Sequence, residues 1–276
     1  MENPLGDPNI KTNKLADKSI LFPIPREKDR INIGIDIPLN GFDIWTAYEF
    51  SFMQKNNIPY VGCLQMRYDC NSKNIVESKS FKLYLNSFNN WTTTLEEALD
   101  KITCDLQEIT ETKNLQVTAY YYNDDKFSRI YALPYKNDKK FYIYLENECQ
   151  FINNKASIKI NLGAVNKSVA YFTNCLRSNC KVTKQPDWGS AYMQITGEQP
   201  TLESLLSMIV SFRNKNHFHE EISERIVNNI NQALNPKELI VILNYTRRGG
   251  IDITPVRSIN AFLDMKSFKL ERTSRQ

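Results

Sequence analysis

The sequence predicts an α+β chain built from one module used twice, with strands flanking a pair of helices. Three observations lead there. The spacing of apolar residues changes from period two to period 3.6 and back in the order strand, strand, helix, helix, strand, strand, and it does so twice. The two helix pairs align at one offset: Ser87 on Ser211 and Glu96-Glu97 on Glu220-Glu221 each lie 124 positions apart (211 − 87, 220 − 96), with Ile102 on Ile226 and Leu106 on Ile230. Chance similarity over so short a stretch is the alternative to duplication. Finally, 276 residues, 41% hydrophobic and 24% charged, are enough for two modules that each bury a core.

The elements follow in order. Residues 1–40 are rich in Asn, Asp, Lys and Pro without a sustained apolar period, which predicts an arm that packs on a body elsewhere. FDIWTAYEFSF (42–52) and PYVGCLQMRYD (59–69) read as two strands joined by the Lys55–Pro59 turn. Helices are predicted at about 78–88 and 94–110, the second from Leu95, Leu99, Ile102, Leu106 and Ile109. LQVTAYYY returns to strand, which closes a first module at 41–150. The second, 151–276, opens with a strand through SVAYFTNCL, then a Pro-containing loop and a strand at AYMQITG. A helix on Leu202, Leu205, Leu206, Ile209 and Val210 and another on Phe218, Ile222, Ile226 and Ile230, ending near Asn235-Pro236, precede paired strands ELIVILNYT and GIDITPV.

Composition excludes several functions. A net charge of +4, from 35 Lys+Arg against 31 Asp+Glu, is too weak and dispersed for a nucleic-acid footprint. The longest fully apolar run is Leu239–Leu243, far short of the roughly 18–20 residues that cross a bilayer. MENPLGDPN carries two acids and two prolines where an export signal needs a basic and then an apolar run, so a cytoplasmic, reducing setting is expected. The six cysteines contain no C-x-x-C pair, which argues against a zinc ribbon or a thioredoxin-type site and suggests mostly buried, inert thiols. The nine glycines form neither G-x-G-x-x-G nor a P-loop, so a phosphate-bearing ligand must be held by side-chain cations and short backbone nests.

Four stretches carry chemistry. In Glu77-Ser78-Lys79-Ser80-Phe81-Lys82 a strand hands over to a helix, where free N–H groups and lysines can face an anion; an ordinary capped helix start is the alternative. Arg247-Arg248-Gly249-Gly250 sets two guanidinium forks beside residues that let a ligand approach the backbone, or is a plain β-turn with a charged rim. In SNCKVTKQPDWGS (178–190), Arg177, Lys181 and Lys184 flank Cys180 and would favour its thiolate, while Pro186 and the Trp188 indole would desolvate Asp187. Either the two are a nucleophile and a proton donor, or they are a buried thiol and a turn residue. In His217-Phe218-His219-Glu220-Glu221, histidines two apart on a helix point about 200° from one another, a poor metal site. Glu220 in the first helical turn suits the N–H edge of a heterocycle, with His219 beside it, or complements the helix dipole.

Taken together, ESKSFKLYLNSFN (77–89), SNC with QPDWGS, FHE, and YTRRGG with the Asp that follows resemble a known family in its expected motif order. It is the NADPH-dependent nitrile reductases of queuosine biosynthesis, the 7-cyano-7-deazaguanine reductases, in their long bimodular form. The resemblance runs from about Pro23 to the carboxy terminus. It implies two tandem tunnelling-fold modules, antiparallel sheets each carrying paired helices, and a homodimer. It implies reduction of a deazapurine nitrile to the primary amine with two NADPH per turnover, and no metal. By matched position, Cys180 is the thioimide-forming nucleophile and Asp187 the proton donor. His219 and Glu220 recognise the substrate, with Val76, Glu77 and Ser78 also lining its site. Ser78, Lys79, Arg248 and Gly249 contact the cofactor. A ring-opening cyclohydrolase of the same fold would instead need zinc ligands.

Overall fold

The computed structural model describes residues 15–122, 131–132, 142–152, 157–161 and 167–271. The described part of the arm holds a 3₁₀ turn (Lys18–Ile20), strand β1 (Pro23–Pro25) and helix α1 (Glu27–Ile33). Then come β2 (Asn40–Gln54), β3 (Pro59–Asp69), β4 (Asn74–Val76), α2 (Ser78–Asn86), β5 (Thr92–Thr93), α3 (Leu95–Thr110) and β6 (Leu115–Tyr121). Short pieces β7 (Tyr131–Ala132), β8 (Ile143–Tyr144) and α4 (Leu145–Glu148) lead to β9 (Lys167–Asn179) and β10 (Pro186–Gly197). Helices α5 (Leu202–Val210) and α6 (His219–Leu234), then β11 (Glu238–Tyr245), β12 (Ile251–Ile259) and β13 (Leu270–Glu271), complete the chain.

The helix boundaries follow local chemistry. Thr94 and Glu97 form a reciprocal capping box that starts α3, and Thr201 accepts from the Ser204 N–H to start α5. Asn235 ends α6 in the left-handed conformation, as the Asn-Pro pair predicts. The 124-residue interval holds for both helix starts, α2 to α5 and α3 to α6 (202 − 78, 219 − 95).

One sheet runs through both halves in the order β6-β3-β2-β12-β11-β10-β9-β8, antiparallel except where β8 meets β9; β5 lies parallel beside β2. The expected hairpins β2–β3 and β11–β12 are both present. Trp45, Ala47, Phe50 and Phe52 of β2 join Phe81, Tyr84 and Phe88 in and after α2 and Ile102 and Leu106 of α3 in one core. The phase shift between Ala47 and Phe50 is absorbed by a bulge in the β2–β3 pairing. A second core sets Ile222, Ile226 and Ile230 of α6 on Leu239, Val241 and Leu243 of β11.

The halves meet where β2 pairs β12, and Gly41 is what lets them approach. Its φ is +134°, and a Cβ there would lie 2.1 Å from the Val256 carbonyl oxygen. Beside this joint lies a buried ionic network. Arg257 of β12 reaches Asp43 of β2 at 2.7 Å and Glu224 of α6 at 3.1 Å; Arg26 of the arm also pairs with Asp43, and Arg30 of α1 with Glu224 at 2.7 Å. Burial pushes both carboxyls up, but the facing guanidiniums hold them below their ordinary range. The network thus pins the arm and both halves through one set of charges. Replacing Arg257 by Met is expected to cost about 3–5 kcal/mol, because it leaves two buried carboxylates short of a partner. The midpoint of urea unfolding measures this.

Two sequence expectations change here. The loop before AYMQITG is strand: β10 starts at Pro186, which needs no donor at a strand's first residue, and Asp187 pairs with Ser178. The thiols are less uniformly buried than expected: Cys63, Cys70 and Cys180 are buried, Cys149 and Cys175 half-buried and Cys104 exposed. Among the described residues, no helix is long and apolar enough to cross a membrane.

Candidate active site

Four chain segments converge at the seam between the halves. The first is the turn of the β9–β10 hairpin. The Cys180 N–H donates to the Gln185 carbonyl at 2.8 Å, the Lys184 N–H to the Cys180 carbonyl at 2.9 Å, and the Thr183 N–H points at Sγ from 3.5 Å. The turn therefore wraps the sulfur in backbone donors. Asp187, early in β10, is buried beside it.

The second segment is the start of α6, held by its isoleucines in the core. His219 stacks on Tyr245 with ring centroids 3.6 Å apart and 7° between planes, and its Nε2 lies 3.3 Å from Asp187 Oδ2. Glu220 is 4% exposed, and its Oε1 has no hydrogen-bond partner. Burial pushes the Glu220 carboxyl up and Asp43 adds to the rise, opposed by His219, Arg26 and its own N–H. A buried, unpartnered acceptor of this kind is completed by a ligand that donates N–H.

The third segment is the β4–α2 junction. The arm sets its position, since Pro23 pairs with Val76 and the Glu77 N–H donates to the Phe22 carbonyl at 2.9 Å. Glu77 itself caps α2, accepting from the Lys79 N–H at 3.1 Å and the Ser80 N–H at 2.7 Å. Two of the N–H groups expected to be free at this helix start are thus engaged by a carboxylate, and Ser78 and Ser80 are not its cap.

The fourth segment is the β11–β12 turn, where Gly249 (φ +61°) and Gly250 (φ +87°) are left-handed. Arg248 points inward, its Nη1 2.8 Å from Asp187 Oδ1. A Cβ on Gly249 would sit 3.3 Å from Lys82 Nζ, so this turn and the first turns of α2 are neighbours. The two anion-binding stretches read separately in the sequence are neighbours, with Lys82 beside Gly249. A lysine beside a backbone stretch without a Cβ suits a phosphate-bearing cofactor.

These segments line one partly open cleft. Val76, Glu77 and Ser78 line it from the first half; Cys180, Asp187, His219, Glu220 and Arg248 line it from the second. Lys79 and Gly249 lie outside the lining. Trp45, Ile75, Phe218 and Ile253 supply apolar walls that the sequence reading did not assign to a site.

Burial pushes the Cys180 thiol up. Hydrogen bonds from the Arg248 guanidinium, from Thr183 and from the Val182 N–H more than offset this, so the thiol sits below its ordinary value. Two of the three flanking cations expected in that role, Lys181 and Arg177, are engaged elsewhere, and Lys184 is exposed. Lys181 pairs with Asp29 and Glu221, and Arg177 donates to the Arg213 carbonyl and lies over the Trp188 ring. Nor does Trp188 wall off Asp187: it is 39% exposed, between Arg177 and Arg213. Alternation along β10 turns consecutive side chains to opposite faces, which is why the chain neighbour of Asp187 is not its spatial neighbour.

His217 pairs with Glu221 at 2.7 Å while His219 faces Asp187, so the two imidazoles serve different carboxylates. Among the described residues no group of three or more His, Cys, Asp and Glu is placed to hold a metal ion.

Comparison with known proteins bears on the same residues. Residues 13–119 match the family model described as nitrile reductase, 7-cyano-7-deazaguanine-reductase N-term, and residues 186–262 match that of QueF-like protein. The NADPH-dependent 7-cyano-7-deazaguanine reductase of Rickettsia canadensis (strain McKiel) is 39% identical over 92% of each chain. That of Buchnera aphidicola subsp. Schizaphis graminum (strain Sg) is 38% identical over 90% of this chain and 95% of its own. The chain belongs to this family.

Within the 7-cyano-7-deazaguanine reductase family, the matched segments contain three of the four converging pieces: 13–119 carries the arm and the β4–α2 junction, and 186–262 carries Asp187, the start of α6 and the β11–β12 turn. The Cys180 turn lies just before the second match. Sequence reasoning missed Lys82 as a neighbour of Gly249 and Arg248 as the partner of Cys180. The spacing of Lys79 and Lys82, one helical turn apart, was a usable signal for the first. Nothing local signalled the second, since 68 residues separate Arg248 from Cys180 (248 − 180).

Proposed function

We propose that this chain reduces the nitrile of 7-cyano-7-deazaguanine to the primary amine 7-aminomethyl-7-deazaguanine with NADPH, a step of tRNA queuosine biosynthesis. The observation that carries this reading is the pairing of a thiol favoured as thiolate with a buried carboxyl, Cys180 and Asp187, beside the unpartnered Glu220 acceptor in one cleft.

Glu220 reads the amino and ring N–H groups of the deazapurine, with His219 beside it and Val76, Glu77 and Ser78 on the opposite wall. That orients the nitrile toward the hairpin turn. The Cys180 thiolate adds to the nitrile carbon, the π pair moves to nitrogen, and Asp187 gives nitrogen its proton. The product is a thioimide, whose C=N is far easier to reduce than a nitrile. Lys79, Arg248, Gly249 and Ser78 would hold NADPH, which would supply hydride; conversion of C≡N to CH₂–NH₂ takes two hydrides and two protons, hence two cofactors. Cys180 leaves as thiolate after the first reduction, and the apolar walls keep water from the imine that remains. The 2′-phosphate of NADPH suits a site built from cations.

The halves are read as tandem tunnelling-fold modules at 41–150 and 151–276, supported by the common 124-residue helix interval and the antiparallel sheet. A homodimer is the assembly expected of that fold. Its support is that β6 is an outer strand of the sheet among the described residues, an edge suited to pairing with a second copy. Neither nucleic acid nor membrane is a proposed partner, and a nucleophile that must remain a free thiol fits a cytoplasmic location.

Mixing protein, NADPH and 7-cyano-7-deazaguanine and following cofactor oxidation against amine formed tests this reading. Two cofactors oxidised per amine is the expected result; oxidation of one, or none, would overturn it.

A further inference from the structure

We propose that Arg248 is a catalytic residue, one guanidinium that holds the Cys180 thiolate before attack and the Asp187 carboxylate after it. This rests on the reading of the cleft just given and adds a role beyond cofactor contact.

A thiolate at a position 7% exposed needs a countercharge. The charged and titratable groups that line the cleft with Cys180 are Asp187 from β10, Glu77 ahead of α2, His217 just before α6, His219 and Glu220 in α6, and Arg248 from the β11–β12 turn. Only Arg248 carries a fixed positive charge, and three of the others are acids. Lys181 and Arg177, next to the thiol in sequence, are held by Asp29, Glu221 and the Arg213 carbonyl. Arg248 therefore stands alone among the lining residues as a permanent cation for the sulfur. Arg248 lines the same cleft as Cys180, where its guanidinium favours the thiolate, and its Nη1 lies 2.8 Å from Asp187 Oδ1.

The double contact matches the charge flow of the addition. Before the step the negative charge is on sulfur. The S–C bond forms, the π pair of the nitrile goes to nitrogen, and the Asp187 proton follows, so the charge ends on the carboxylate. Both ends lie within reach of one fork, and no group has to move to follow the charge. A planar fork can hold two acceptors at once, whereas an ammonium is a point charge, so lysine is an incomplete substitute.

The test uses alkylation of Cys180 by iodoacetamide, read peptide by peptide by mass spectrometry because five other cysteines are present, from about pH 5 to pH 10. In Arg248→Gln the alkylation midpoint is expected to rise by about one pH unit or more, with the rate at pH 7 about tenfold lower. In Arg248→Lys the midpoint is expected to lie between those of Arg248→Gln and the parent, and this variant supplies the measurement if Arg248→Gln does not fold. An unchanged midpoint with only the KM for NADPH raised would make Arg248 a phosphate ligand alone and overturn the proposal. Alkylation needs neither nitrile nor cofactor, so it reports on Arg248 even if the nitrile proves not to be the substrate. Loss of the proposed function would show separately, as a parent protein that forms no adduct with the nitrile.

Discussion

Cys180→Ala is expected to abolish turnover and the covalent adduct with 7-cyano-7-deazaguanine while leaving the deazapurine able to bind. The substitution removes Sγ but keeps the N–H and carbonyl that close the hairpin turn on Gln185 and Lys184. Glu220, proposed to read the ring, sits on another element and is untouched. Binding and chemistry should thus separate. Without the nucleophile the nitrile carbon faces hydride unactivated, and loss of a nucleophile from an organised site costs on the order of 10⁴- to 10⁶-fold in turnover. Intact-mass measurement checks this: the parent gains the mass of the nitrile and Cys180→Ala does not. Cys180→Ser keeps the shape but not the thiolate, and is expected to form no adduct either. A parent that gains no mass would sink the thioimide.

Asp187→Asn is expected to lower turnover by about 10²- to 10⁴-fold with little change in the affinity for the nitrile. Asparagine has the size of aspartate, and its Oδ1 can still accept from Arg248, so the pocket between His219 and Arg248 persists. What disappears is the acid proposed to protonate nitrogen as sulfur adds. Formation of the adduct, measured by rapid quench without cofactor, should slow as much as turnover does. Equal loss of nitrile affinity, measured by calorimetry, would instead make Asp187 a structural partner of the His219–Arg248 pair.

The site was legible wherever function and local pattern share a few residues. The β4–α2 junction, the α6 start and the hairpin carry their chemical side chains within short motifs, and the structure brings Glu77, Cys180, Asp187, His219 and Glu220 to one cleft. Neighbours in sequence are not always neighbours in space. Trp188 follows Asp187 but points away from it, because strand residues alternate. Lys181 follows Cys180 but is drawn to Asp29 of the arm and Glu221 of α6. Two of the N–H groups expected to be free at α2 are engaged because Glu77, one residue ahead of the helix, turns back and accepts from them.

The sequence by itself determined the elements and their order and marked Cys180 and Asp187 as candidates, because periodicity, caps and short motifs act within a few residues along the chain. It also determined that no familiar nucleotide loop could hold the cofactor. Tertiary structure alone decided which cation meets the thiol and which acids are left without partners. It set Arg26, Asp43, Glu224 and Arg257 into one buried network, and it brought Lys82 beside Gly249. Those pairings join residues tens to hundreds of positions apart, and charges buried from water choose partners by distance in space, not along the chain.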